Sequence, residues 1–129
     1  MRGWIWLACW SMFAATVYLV PSAALANAIR EISLKEKVDR SSLVIIGKAT
    51  GAAWNSTPEL AGVEYEEISV VNVLKGSPTN TILVLIRGMI AEEDPGCCTE
   101  GANYLFFLRA DGKGRYSSVN GHFGIVRVQ

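Results

Sequence analysis

The chain has 129 residues, half of them hydrophobic, and its 12 Lys and Arg are balanced by 12 Asp and Glu for a formal charge of zero. No excess of positive charge is present to hold a nucleic-acid backbone or an anionic membrane, so neither is an expected partner. The length suits one domain and is too short for an enzyme scaffold carrying a separate regulatory module.

Residues 1–26 read as an export signal. Arg2 is a minimal basic start, an apolar run extends from Trp4 to Val20, and Pro21-Ser22-Ala23-Ala24-Leu25-Ala26 supplies the small residues of a cleavage region, placing the cut before Asn27. The alternative is a retained anchor, since the apolar run is nearly long enough to span a bilayer; Pro21 and the small residues behind it fit cleavage better than a persisting helix. Lipoprotein processing at Cys9 is disfavoured, because Trp6-Leu7-Ala8 lacks the usual aliphatic residue three positions upstream and the apolar run continues past it. The expected address is periplasmic or secreted, with no stable membrane insertion after cleavage. Loss of the signal removes Arg2 and leaves eleven basic against twelve acidic residues.

The mature chain opens with a short helix signal: Ser33 and Glu36 have capping-box spacing, and Leu34 and Val38 lie one turn apart on one face. After Ser42 the pattern is strand and turn. Residues 43–49 are β-branched and aliphatic, and Gly47 and Gly51 permit a bend or bulge. Trp54-Asn55-Ser56-Thr57-Pro58 is expected to break this strand; its Asn55-Ser56-Thr57 triplet matches a glycosylation acceptor, but Pro58 is unfavourable there and no role is assigned. In residues 62–74, Val63 and Tyr65 share one parity while Ile68, Val70 and Leu74 share the other, as one inserted residue would produce. Lys75-Gly76-Ser77-Pro78 makes a turn. Residues 81–86 and 104–108 are nearly unbroken apolar runs, consistent with burial on both faces. Asp111-Gly112-Lys113-Gly114 is a turn leading to a strand over 116–119, and Gly121 precedes a last strand over 123–128.

Five or six closely spaced strands, one short N-terminal helix and a Gly-kinked strand predict an all-β fold: a small Greek-key, OB-like barrel over residues 27–129. Closure would also remove the exposed edges that strands this apolar would present.

Three stretches carry a family resemblance: Ser42-Leu43-Val44-Ile45-Ile46-Gly47-Lys48-Ala49, Val70-Val71-Asn72-Val73-Leu74-Lys75-Gly76-Ser77 and Cys98-Thr99-Glu100-Gly101-Ala102-Asn103-Tyr104-Leu105-Phe106-Phe107-Leu108. Together they resemble exported bacterial domains related to the tissue inhibitors of metalloproteinases, the netrin-like modules, over residues 33–128. The resemblance implies an OB-fold. The animal inhibitors chelate a protease zinc through an N-terminal cysteine, whereas here the expected first residue is Asn27, so that mechanism is not carried over. The disulfide mate that such a cysteine would give Cys98 is missing too, which draws attention to Cys97.

Cys97 and Cys98 are adjacent, and after signal removal they are the only thiols in an oxidising compartment. They can pair with each other, closing a ring too small for much chain-entropy stabilisation and easier to reduce than an ordinary bridge. They can stay free or bond between chains. They can also hold a soft metal with Glu92, Glu93, Asp94, Glu100 or His122, although ligand cysteines are normally spaced by two to four residues so that both sulfurs converge. The acidic stretch 91–96 reads as a solvated loop shaped by Pro95 and Gly96, since it lacks the alternating oxygen spacing of calcium loops. His122, the sole histidine, reads as a turn residue at the barrel rim. A Cys98–His122 dyad requires the fold to bring the two together, and oxidation silences its thiolate.

The sequence therefore predicts a non-catalytic module, with no cofactor or metal, that binds a protein or small ligand of the cell envelope. Its candidate residues are the pair Cys97 and Cys98, together with Glu100, Tyr104 and His122. The second reading is a small redox or metal-handling protein acting through the two cysteines.

Overall fold

The computed structural model describes residues 29–55 and 62–129. The expected export signal, Cys9 and residues 56–58 lie outside them. Among the described residues, no helix is long and apolar enough to cross a membrane.

Helix α1 spans Leu34–Arg40, where Ser33 adopts extended backbone and its Oγ accepts the Glu36 N–H at 3.2 Å. Half of the capping box is made; the Glu36 carboxylate pairs forward with Arg40. Ser41 ends the helix, its hydroxyl donating to the Lys37 carbonyl. Of the two apolar helix residues, Val38 packs on Val44, Phe107 and Val119, whereas Leu34 stays exposed.

Six strands follow: β1 Leu43–Asn55, β2 Glu64–Lys75, β3 Thr81–Arg87, β4 Asn103–Ala110, β5 Arg115–Ser118 and β6 Ile125–Val128. They form one mixed sheet in the order β1-β2-β3-β5-β4-β6, and a further β1–β4 pairing joins five of them into a barrel-like ring. The β3–β5 pairing is parallel and the rest are antiparallel. The all-β class, the strand number and the short N-terminal helix are those expected. Leu43, Ile45, Ile68, Val84, Phe106 and Leu108 fill the ring. Each such side chain contributes about 1.5–3 kcal/mol of transfer free energy. At Gly47 the strands approach so closely that a Cβ would run into the Ile68 side chain and lie 3.1 Å from Phe106.

Several local expectations need correction. Strand β1 does not stop before Trp54 but runs through it to Asn55, with a register break between Ala49 and Ala53 at the positive-φ Gly51. The parity change in β2 is present, since Tyr65 and Glu66 are both buried. At that point the extra residues stand on the partner strand, where four steps of β1, Ala49 to Ala53, match two of β2, Ile68 to Glu66. Further along, β2 carries its own extra residues, Lys75 to Val73 against Val44 to Ile45 and Asn72 to Val70 against Ile46 to Gly47. Strand β3 is not buried on both faces: Ile82 and Val84 are buried in the core, while Leu83 and Leu85 on the other face are half-buried. The β5 strand starts and ends one residue earlier than expected. Residues 121–124 form a 3-10 turn, so the last strand begins at Ile125.

Candidate functional site

The longest described connection, residues 88–102 between β3 and β4, carries most of the candidate residues. Connections of this length are usually functional or disordered. This one is pinned along its length. The Gly88 N–H donates to Asp94 Oδ1 at 2.7 Å, enclosing the 3-10 turn Ala91–Glu93, and Pro95 is buried. The sulfurs of Cys97 and Cys98 stand at disulfide distance, and both side chains pack on the main core cluster. The Thr99 N–H then donates to the Tyr104 hydroxyl at 2.8 Å, and Gly101 and Ala102 exchange backbone bonds with Ala49. Asp94 thus staples the acidic stretch, beyond the solvated role its sequence suggested.

A carboxylate lies under this connection. Gly51, with φ +79, donates its N–H to Glu66 Oε1 at 2.9 Å, and the Glu100 side chain lies over the same glycine. Glu66 is only 5% exposed. Burial pushes its carboxyl above the ordinary Glu range; the Gly51 N–H opposes this, and the neighbouring Glu64, Glu100 and Glu67 add to it. For Tyr104, burial alone would raise the phenol, but the hydrogen bonding from Thr99 and the Arg127 charge outweigh it and hold the group below its usual value.

The structure therefore gathers Cys97, Cys98, Glu100 and Tyr104 in and beside one loop, but not His122. Tyr104 pairs with Arg127 near the end of β6, whereas His122 belongs to the 3-10 turn before Ile125, at the other end of that strand. Its ring is exposed and lies 3.9 Å, centroid to centroid, from that of Phe123. Among the described residues, no three His, Cys, Asp or Glu side chains converge as a metal set.

Sequence reasoning missed Glu66, although its parity with Ile68 was a signal that it faces inward. It also missed Met89 and Ile90, 85% and 52% exposed at the start of the same connection. Comparison with protein-family models, curated proteins and solved structures finds no match to this chain.

Proposed function

We propose that this chain is an exported, non-catalytic binding module whose contact surface is the β3–β4 connection and whose partner is a protein of the cell envelope. The observation that carries this reading is the exposed pair Met89 and Ile90 at one end of a connection that is otherwise tethered. A surface ordered before binding loses less conformational entropy on association, and methionine adapts to varied apolar partners. Two sulfurs bonded to each other leave no thiolate for nucleophilic catalysis, which supports binding over turnover. The kinship with netrin-like modules belongs to the same proposal and rests on the resemblance of the three stretches, with which the five-strand ring is compatible.

The second reading, a redox protein, draws on the adjacency of Cys97 and Cys98. Retention of an envelope protein by a tagged chain separates the two. For a binding module, Met89→Ser with Ile90→Ser abolishes retention and Cys97→Ser with Cys98→Ser at most weakens it. For a redox protein the outcomes reverse.

A further inference from the structure

We infer that a cleft on the outside of the ring, over β3, β5 and β4, is a binding site for a small zwitterion of the size of a free amino acid, whose carboxylate is held by Arg109 and whose ammonium is held by Glu93. This goes beyond the protein-binding reading, since the cleft needs no macromolecular partner.

The strand register builds its floor. Arg109 of β4 stands directly opposite Ser117 of β5, and Val84 of β3 stands opposite Tyr116, so Leu85 and Ser117 are the next neighbours along that ladder. Val84 and Tyr116 pack in the core. Side chains alternate along a strand, so Leu85, Ser117 and Arg109 share the opposite, outward face. The turn Ala91–Glu93 contributes Glu93 as one wall, and Asn120 and Gly121 form another, around a cavity of about 270 Å³.

The second wall is fixed, and among the described residues the charges are unpaired. Asn120, in the left-handed region at φ 69, accepts the Ile32 N–H at 3.0 Å and donates to the Arg30 carbonyl at 2.8 Å; Ser118 donates to the Gly121 carbonyl at 2.5 Å. By contrast, the side chains of Arg109, Glu93 and Ser117 have no hydrogen-bond or ion-pair partner among the described residues, and Arg109 and Glu93 do not pair with each other. A guanidinium offers a fork matched to a carboxylate, and an opposed carboxylate selects an ammonium. The same carboxylate repels phosphate and other anions, and Arg109 repels polyamines. The volume lies at the small end of ligand cavities, which limits the occupant to about one amino acid and excludes a peptide.

The test titrates free L-amino acids, one at a time up to millimolar concentration, into the isotopically labelled chain and follows the backbone amides by NMR. At least one amino acid is expected to shift Ser117, Ser118, Asn120 and Gly121 saturably. Its N-acetyl and carboxamide derivatives, each carrying a single charge, and the variants Arg109→Gln and Glu93→Gln are each expected to bind about tenfold more weakly or worse. Both replaced side chains are exposed, and the same spectra report whether the variants remain folded. No saturable shift with any amino acid, equal binding of the singly charged derivatives, or unchanged affinity in a folded variant would overturn the assignment. None of these outcomes bears on retention of an envelope protein through Met89 and Ile90.

Discussion

The Thr99 backbone N–H and the Tyr104 hydroxyl meet at 2.8 Å, and this bond ties the cysteine-bearing connection to a buried tyrosine of β4. It links the order of the loop to the core, because the Tyr104 ring packs beside Phe106 at 5.9 Å between centroids. Tyr104→Phe keeps the ring and removes the acceptor. A part-buried donor left without its partner costs about 1–3 kcal/mol. Urea unfolding should show a loss in that range, and the amides of Thr99, Glu100 and Gly101 should exchange faster while those of β1 and β4 stay protected. Unaltered exchange at Thr99 would show that the bond does not order the loop.

Glu66 sets a pH dependence. Burial raises its carboxyl, so the folded chain holds a proton more tightly than the unfolded chain. Its contribution to stability is complete below the ordinary Glu value and is lost as pH rises through the raised folded value. Asp111 acts with the opposite sign: burial alone would raise it, but bonds from Lys113 and Arg115 depress it, so its contribution is lost only as pH falls through that lowered value. Glu66→Gln keeps an oxygen for the Gly51 N–H and cannot ionise. Denaturation midpoints across mildly acidic to neutral pH should decline in the unmodified chain and flatten in Glu66→Gln. Parallel profiles would contradict this.

Gly47 is a packing requirement. An added methyl would meet the Ile68 and Phe106 side chains in the middle of the ring, and overpacking a well-filled core costs about 1–3 kcal/mol. Gly47→Ala should lower the thermal midpoint through this clash, a cost distinct from the backbone strain that alanine would meet at Gly62, where φ is +100 and the space is open. Equal midpoints for Gly47→Ala and the unmodified chain would show that Ile68 gives way.

These contacts also show how far the sequence was legible. Ser33 announced the helix start because a hydroxyl that accepts a backbone N–H is a local device, and Gly76 and the Asp111–Gly114 stretch marked turns for the same reason. The extent of β1 was not legible: Gly51, Ala52 and Ala53 carry no strand signal, and they stay in the strand because β2 supplies partners on the far side of the bulge. The apolar run of β3 overstated burial because composition does not say whether a second layer covers the outer face. At the site, Glu100 and Tyr104 lie close to the cysteines in sequence, and the structure keeps them beside the same connection. Glu66 comes from a distant strand, and its position under Gly51 depends on the register. His122 could be joined to the cysteines only by a topology that the strand order does not provide.

The cysteine pair should be nearly neutral for global stability. A bond between neighbours closes too short a loop to restrict the unfolded chain much, unlike the roughly 3 kcal/mol of a 15-residue loop. Intact mass of the purified chain should be lower by two hydrogens than that of the reduced form, with no alkylation before reductant. Reduction should then leave the unfolding midpoint close to its starting value. Alkylation of the untreated chain at both residues would show free thiols.

Exposed Met89 and Ile90 contribute little to folding, so Met89→Ser with Ile90→Ser should change stability by no more than about 0.5 kcal/mol per site. The two variants together make loss of binding distinguishable from loss of fold. A collapse of the unfolding transition would place these side chains in the core.

The most direct measurement is site-specific photo-crosslinking in producing cells. A photoreactive amino acid is placed at Met89 in one strain and, as the control, at Lys113 in the exposed Asp111–Gly114 turn in another. A discrete adduct with an envelope protein from position 89, absent from position 113, is the predicted result. No adduct from position 89, or the same adducts from both positions, would contradict a contact surface on the β3–β4 connection.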